Sequence, residues 1–229
     1  MSTHFRNVND LKSVEAINMN AKLPGASTSL YRAGGKRLLD LTIVLLAAPF
    51  AIVLVGLMVL ANLFEGQSPF YIQKRVGFGG RGFGMLKMRT MVANADDALQ
   101  AYLAANPAAR EEWETKQKLE NDPRITRFGR FMRMTSLDEL PQLWNVFLGD
   151  MSIVGPRPII VGQEHLYPGR AYYMLQPGLT GSWQISDRSQ GTFAGRAAFD
   201  NDYQVKLSFR YDLEIILKTV GAVARLTGR

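Results

Sequence analysis

The chain has 229 residues, a formal net charge of +7, no cysteine and only two histidines, His4 and His165. Disulfides and thiolate metal sites are therefore excluded, and a histidine-based zinc site is disfavoured. The length suits one globular domain with added elements, and the basic balance favours an anionic partner such as nucleic acid, anionic lipid or a phosphorylated substrate.

The first part of the chain divides into a polar tail and an apolar segment. Residues 1–30 carry scattered Asn, Ser and Lys, and we expect a mobile tail there. Residues 41–64 contain no charged side chain, and this run exceeds the roughly 20 residues that cross a bilayer core. The sequence therefore predicts a membrane segment over residues 31–65.

Lysines and arginines lie on both flanks of this segment, whereas they usually accumulate on the cytoplasmic flank of a spanning helix. They are Arg32, Lys36 and Arg37 before it, and Lys74, Arg75, Arg81, Lys87 and Arg89 after it. Pro49, preceded by Ala48, lies near the middle and favours a kink. A re-entrant helix–break–helix accounts for both features, and a single crossing stays the alternative.

The stretch after the membrane segment has β-prone runs on both sides of a glycine cluster, which predicts a β-hairpin. Gly77, Gly79 and Gly82 also match G-x-G-x-x-G, but a dinucleotide site needs a helix directly after that motif. The run from Phe83 to Met88 is typical of a strand instead. We therefore do not expect a dinucleotide-binding fold.

The next segments are predicted helices. Residues 94–123 indicate two helices separated at Asn106-Pro107 and ended by Pro123. Arginines then recur every third residue among apolar residues, at Arg124, Arg127, Arg130 and Arg133. This row indicates an amphipathic helix, either solvated or lying against anionic headgroups. An apolar stripe from Leu213 to Ala224 indicates core packing, with membrane-surface docking as the alternative.

The acid pair in TSLDELPQ, Asp138 and Glu139, carries the strongest chemical signal. Ser136 with Glu139 matches a capping box, in which both acids would only stabilise a helix start. That start would put Pro141 inside the helix, where its ring and missing N–H are unfavourable. A start at Asp138 places Pro141 in the first turn, where N–H groups have no helical partner anyway.

Such a helix start would combine two carboxylates with N–H groups that bind phosphate. Magnesium would bridge them, since it takes one or two carboxylates and completes its shell with water and phosphate oxygens. An aspartate there could also attack phosphorus. Arg157, held between two prolines, has a planar fork suited to phosphate. Further positive charge is expected from Lys87, Arg89 and Arg133. The alternative is that the two acids are solvated and only cap the helix.

Several motifs occur in one order between residues 35 and 220: KRLLD, QKRVG, LKMRTM, NDPRITRFGRFMR, TSLDELPQLWNVFLGDMSIVGPRP and PGLTGSWQIS. In them the chain resembles the monotopic polyprenyl-phosphate phosphoglycosyl transferases, the bacterial sugar transferase family that primes exopolysaccharide synthesis. The resemblance implies transfer of galactose or glucose 1-phosphate from a UDP-sugar to undecaprenyl phosphate. It also implies UMP release and a covalent aspartyl-phosphosugar intermediate.

The resemblance makes Asp138 the nucleophile and a magnesium ligand, and it makes Glu139 its partner and second ligand. The predicted substrate-binding residues are all basic: Arg133, Arg157, Lys87, Arg89, Arg75 and Arg188. Two positions depart from the family pattern. The usual Ser-Pro at the membrane break is Ala48-Pro49, and the usual Gly-Arg near the sugar site is Asp187-Arg188.

We therefore predict a mainly α-helical protein with a small β-hairpin. It would consist of a re-entrant membrane hairpin kinked at Pro49 and a catalytic domain over residues 66–229 with amphipathic interfacial helices. The expected place is the cytoplasmic face of the bacterial inner membrane, in contact with membrane lipid, and a homodimer is compatible with the sequence. Nucleic acid is not an expected partner, because a nucleic-acid-binding protein or a scaffold would have no use for the acid pair.

Overall fold

The computed structural model describes residues 30–116, 119–186 and 193–224, so the predicted tail lies outside it up to residue 29. A π-helical turn, Tyr31–Gly35, leads into α1. The elements are α1 (Lys36–Phe64), β1 (Phe70–Val76), β2 (Gly82–Met88), α2 (Ala95–Ala105), α3 (Pro107–Lys116), α4 (Arg127–Met134), α5 (Gln142–Leu148), β3 (Ser152–Val154), β4 (Ile159–Ile160), β5 (Gly178–Thr180), α6 (Ser182–Ile185), α7 (Arg196–Lys206) and α8 (Phe209–Ala224). The mainly helical fold with a small hairpin is confirmed.

The predicted hairpin is formed by β1 and β2, which pair antiparallel from Phe70 opposite Met88 to Val76 opposite Gly82. Its turn contains Gly79 and Gly80, both with positive φ, a conformation that glycine adopts without strain. β4 adds to the free edge of β1 with Ile160 opposite Arg75. This pairing brings the arginine next to the loop that carries Arg157. β3 and β5 form a separate parallel pair.

Helix α1 is not interrupted at Pro49, and the predicted kink there stays a prediction. It is one continuous α-helix with Pro49 inside it. A proline removes one backbone hydrogen bond and crowds the preceding turn, but the helical turns on both sides of Pro49 still form. By length and apolar composition, the helical run Tyr31–Phe64 could cross a membrane. Much of its apolar surface is exposed, including Leu46 at 71% and Phe50 at 75%.

Both ends of α1 are fixed to the body that follows it. Near its start, the buried Asp40 carboxylate accepts hydrogen bonds from the Ser152 hydroxyl and the Ile153 N–H, each 2.9 Å long. Near its end, Asn62 donates to the carbonyls of Pro69 and Arg89 at 3.3 and 3.2 Å. Val44 and Met58, one from each half, enter two different core clusters, which contain Met85 and Met88 of β2 respectively.

The C-terminal helix α8 buries a different face from the one predicted. Asp212 and Ile215 are fully buried. The predicted core stripe is largely exposed, with exposed fractions of 41% for Leu213, 63% for Leu217 and 62% for Val220. The core prediction for these residues is wrong because the helix turns toward the hydrogen-bond donors that surround Asp212. An apolar strip remains on its outer face.

The arginine row is only partly helical. Helix α4 begins at Arg127, because the Thr126 side chain caps it by accepting the Gly129 N–H at 2.8 Å. Arg124 precedes the helix and forms a buried ion pair with Asp122, 2.7 Å long. The predicted separation of two helices at Asn106-Pro107 is confirmed, since α3 begins at that proline.

Candidate active site

The acid pair lies on a short 3-10 turn, Leu137–Glu139, and not at the start of an α-helix as predicted. Helix α5 begins only at Gln142, directly after Pro141. Because Pro141 has no N–H, the chain before it closes more tightly: the Leu140 N–H donates to the Leu137 carbonyl at 3.1 Å. The capping box is not formed either, because the Ser136 side chain makes no capping hydrogen bond.

The backbone conformation of Ser136 determines where this turn begins. Its φ is 58°, and it is the one non-glycine residue with positive φ in the described ranges. Its N–H donates to the Arg133 carbonyl, and its carbonyl accepts the Glu139 N–H, each at 3.2 Å. The left-handed conformation costs about 1 kcal/mol for a residue with a side chain. The chain therefore reverses at a strained residue between Arg133 and the acid pair.

Asp138 is a buried acid, with 8% of the residue exposed. Burial raises the pKa of its carboxyl group to about 6, and the neighbouring charge of Glu139 adds to the rise. Lys87 and Arg133 lower it, but by less. Asp138 is therefore mostly ionised at neutral pH, in an environment that solvates the charge poorly.

Basic side chains from two other elements meet the acids. Lys87 on β2 forms an ion pair with Glu139, with 2.9 Å between Nζ and Oε1. Arg133 at the end of α4 donates from Nε to the Thr90 hydroxyl at 2.8 Å. Burial lowers the pKa of Arg133, while the charge of Asp138 opposes that effect. Both cations therefore lie within electrostatic reach of Asp138.

Four of the predicted site residues line one pocket, although they come from four separate segments. The lining residues are Arg75, Met85, Lys87, Glu139, Gln142, Arg157, Pro158, Gly178, Leu179 and Gln184. Arg75 is held in place by donating to the Pro158 carbonyl at 2.8 Å and to the Gln73 side chain at 2.6 Å. Burial, followed by repulsion from Arg157, lowers the pKa of Arg75 to about 10. The pocket thus joins a carboxylate edge to a strongly positive edge.

A family model described as bacterial sugar transferase matches residues 31–226. The chain belongs to the bacterial sugar transferase family. It is 43% identical over 214 residues to the exopolysaccharide production protein ExoY of Sinorhizobium fredii, which covers 90% of this chain and 93% of ExoY. The predicted recognition of the family is confirmed.

Two further relatives carry names that state a reaction. The UDP-galactose-lipid carrier transferase of Erwinia amylovora is 48% identical over 166 residues, which are 72% of this chain and 35% of that protein. The UDP-glucose:undecaprenyl-phosphate glucose-1-phosphate transferase of Caulobacter vibrioides is 39% identical over 197 residues, which are 81% of this chain and 68% of that protein. The chain thus spans about a third of the Erwinia protein.

Some predicted residues of this sugar transferase lie elsewhere. Asp138 and Arg133 are not lining residues of the described pocket. Neither is Arg89, whose backbone N–H donates to the Pro69 carbonyl at 2.8 Å. Ala48 and Pro49 lie within α1, and Arg188 lies outside the described residues. Sequence reasoning missed the buried glutamines Gln142 and Gln184 of the pocket. Their positions, directly after Pro141 and within PGLTGSWQIS, were the available signals.

The acid pair offers two carboxylates to a cation: Glu139 lines the pocket, and Asp138 directly precedes it in the chain. Asp138 and Glu139 are consecutive, and no group of three or more His, Cys, Asp or Glu suited to a metal occurs within the described part of the chain. Two carboxylates fit Mg²⁺, which completes its coordination with water and phosphate oxygens. A cation bound there would stabilise the ionised form of Asp138 and so lower its pKa from about 6.

Proposed function

We propose that this sugar transferase moves galactose or glucose 1-phosphate from a UDP-sugar to undecaprenyl phosphate and so primes exopolysaccharide synthesis. The names of the relatives support the substrate classes. The observation that carries the proposal is the pocket in which Glu139, Lys87, Arg75 and Arg157 meet beside Asp138. It places cations for a diphosphate next to the proposed nucleophile.

The proposed reaction has two displacements at one phosphorus. In the first, a carboxylate oxygen of Asp138 forms a bond to the β-phosphorus of the UDP-sugar. The bond from that phosphorus to the bridging oxygen breaks, and UMP leaves with the electron pair. In the second, a phosphate oxygen of undecaprenyl phosphate attacks the same phosphorus and releases the Asp138 carboxylate. Covalent catalysis of this kind splits one difficult transfer into two easier ones.

The surrounding residues make the attack feasible. Burial leaves the Asp138 carboxylate poorly solvated and thus reactive, and its pKa near 6 keeps it ionised at neutral pH. Arg75, Arg157 and Lys87 would neutralise the diphosphate as charge moves to the leaving oxygen. Asp138 and Glu139 would hold Mg²⁺, which supplies further charge neutralisation when bound.

We also propose that α1 enters the inner membrane from the cytoplasmic face and leaves on the same face, as a bent helix. The support is that Asp40 at one end and Asn62 at the other are both hydrogen-bonded to the catalytic body, whereas the middle around Phe50 exposes apolar side chains. A single crossing would carry one of these contacts across the bilayer.

Because the chain has no cysteine, single cysteines report this topology directly. Cysteines at Gly34 and Glu65 should both react with an impermeant reagent added to the cytoplasmic side of sealed vesicles, and neither should react from the other side. Phe50→Cys should stay protected until detergent is added. Labelling of positions 34 and 65 from opposite faces would establish a single crossing.

The function itself is tested by UMP release from a UDP-sugar with Mg²⁺ and no lipid acceptor. Asp138→Asn should lower the rate about 10³-fold or more, because the amide cannot attack phosphorus. Asp138→Glu should also fail, because the longer side chain displaces the attacking oxygen by about 1 Å. Asp202→Asn, at an exposed aspartate of α7, is the matched control. Undiminished UMP release by Asp138→Asn would show that Asp138 is not the nucleophile.

A further inference from the structure

Arg196, the first residue of α7, is enclosed by aromatic rings. Its guanidinium carbon lies 4.2 Å from the ring centroid of Trp183 and 4.6 Å from that of Phe193. A guanidinium that stacks on rings keeps its N–H donors directed outward in its own plane. The two rings therefore hold a planar fork in a fixed orientation, next to α6.

The same chain shows what such an arginine binds when its partner is present. Arg124 lies 5.1 Å from the ring centroid of Trp113 and makes a two-pronged contact with Asp122, with Nε–Oδ1 at 2.8 Å and Nη2–Oδ2 at 2.7 Å. Among the residues that the structure describes, no carboxylate makes such a contact with Arg196. The nearby Asp200 accepts the Tyr167 hydroxyl at 2.7 Å, and Nε of Arg196 is buried without a hydrogen-bond partner among the residues described.

The positive charges near Arg196 favour the binding of an anion there. Burial lowers the pKa of Arg196 to about 10, and repulsion from Arg157 is the second cause. Arg157 also repels Arg75, and both of these arginines line the active-site pocket. Positive charge thus extends from the pocket through Arg157 to Arg196. Trp183 directly precedes Gln184, another pocket residue, so Arg196 lies beside the pocket wall.

We propose that Arg196 binds the phosphate of the nucleotide that leaves, the α-phosphate of the UDP-sugar, which becomes the phosphate of UMP. This inference rests on the proposed function, in which the β-phosphate reacts at Asp138. A phosphate in the plane of the fork accepts two parallel N–H bonds, as Asp122 does from Arg124. It would also reduce the repulsion between Arg196 and Arg157, and it would stabilise the leaving group as the bond breaks.

The experiment measures the binding of UMP and of uridine to the purified full chain with Mg²⁺, by calorimetry for UMP and by competition for uridine. Arg196→Gln should weaken UMP binding about tenfold or more, because a charge-assisted contact is lost. Uridine binding should not change, which also shows that the site is intact. Arg196→Lys should recover part of the affinity, because an ammonium keeps the charge but not the fork. Arg110→Gln, an exposed arginine of α3, is the control.

Each outcome decides a different claim. UMP binding by Arg196→Gln at wild-type affinity overturns the inference, and so does an equal loss of UMP and uridine binding. Unchanged UMP binding with a raised KM for undecaprenyl phosphate would assign Arg196 to the phosphate of the acceptor instead. If the wild-type chain releases no UMP from any UDP-sugar, the proposed function itself fails. If the wild-type chain releases UMP and Arg196→Gln binds UMP at wild-type affinity, only this inference is overturned.

Discussion

Two buried aspartates of this sugar transferase have opposite surroundings. Asp212, on α8, is fully buried and accepts hydrogen bonds from the hydroxyls of Tyr31 and Tyr203 at 2.5 and 2.6 Å. Its other partner is the Lys36 ammonium at 2.7 Å. These three donors thus hold α7, the first residue of α1 and the turn before it against α8. Its charge is compensated and unavailable for reaction.

Asp138 is almost as deeply buried, but its charge is compensated poorly. Within the described ranges, no side chain of another residue donates a hydrogen bond to its carboxylate, and Lys87 is bonded to Glu139 instead. Burial therefore dominates, and the pKa of Asp138 is raised to about 6. One buried carboxylate therefore stabilises the fold through its three donors, whereas the other destabilises the fold slightly because its charge is poorly solvated.

The largest stability effect should come from Asp212→Asn, because it removes the buried carboxylate with which the Lys36 ammonium forms its ion pair. We expect the free energy of unfolding to fall by about 3 kcal/mol or more. Chemical denaturation of the detergent-solubilised chain measures this loss. Glu214→Gln breaks the exposed pair with Lys218 on the same helix and should change stability little. Equal losses of unfolding free energy in Asp212→Asn and Glu214→Gln would contradict the stabilising role of Asp212.

Asp138→Asn should raise the free energy of unfolding in magnesium-free buffer, whereas Asp212→Asn lowers it. The folded-state pKa of about 6 lies above the usual value near 4, so wild-type stability decreases as the pH rises from about 4 through 6. Asparagine does not ionise, so the variant should be about 1–2 kcal/mol more stable than wild type at pH 8. The difference should vanish below about pH 4. Lower stability of the variant at pH 8 would contradict this assignment.

The smallest gain in stability should come from relieving the strain beside Asp138. Ser136→Gly should raise the free energy of unfolding by up to about 1 kcal/mol, because glycine adopts a φ of 58° without cost. Ser136→Val should lower it by about 1–2 kcal/mol, because a β-branched residue resists that conformation. Denaturation curves measure both.

The adjacent Thr135 provides the control for this prediction, because its φ is an ordinary −90°. Glycine at that position should destabilise the fold through the added freedom of the unfolded chain. The strain account would be wrong if glycine had the same effect at positions 135 and 136.

The sequence allowed prediction of features that local chemistry determines. The glycine cluster marked the turn of the hairpin, and Asn106-Pro107 marked the separation of α2 and α3. Pro141 showed where a helix is unfavourable, but the helix start at Asp138 was still wrong. Backbone bonds from Ser136 to Arg133 and Glu139 fix a 3-10 turn instead, and no sequence pattern indicated a left-handed serine.

Features that depend on distant contacts could not be predicted in the same way. Asp212 had the pattern of an ordinary acid on an amphipathic helix, and its burial depends on Lys36, which is 176 residues away. The exposed outer face of α8 follows from that burial. Arg196 was missed because its two aromatic neighbours come from different segments, and only folding brings Trp183 against α7.

The central claim, that Asp138 becomes covalently linked to a sugar phosphate, is tested most directly by intact-protein mass spectrometry. The chain is incubated with Mg²⁺ and UDP-galactose or UDP-glucose, without a lipid acceptor. We predict a mass increase of one hexose phosphate, located on the peptide that contains Asp138, absent in Asp138→Asn and lost when undecaprenyl phosphate is added. UMP release without any adduct on the protein, or an adduct on another residue, would contradict the account.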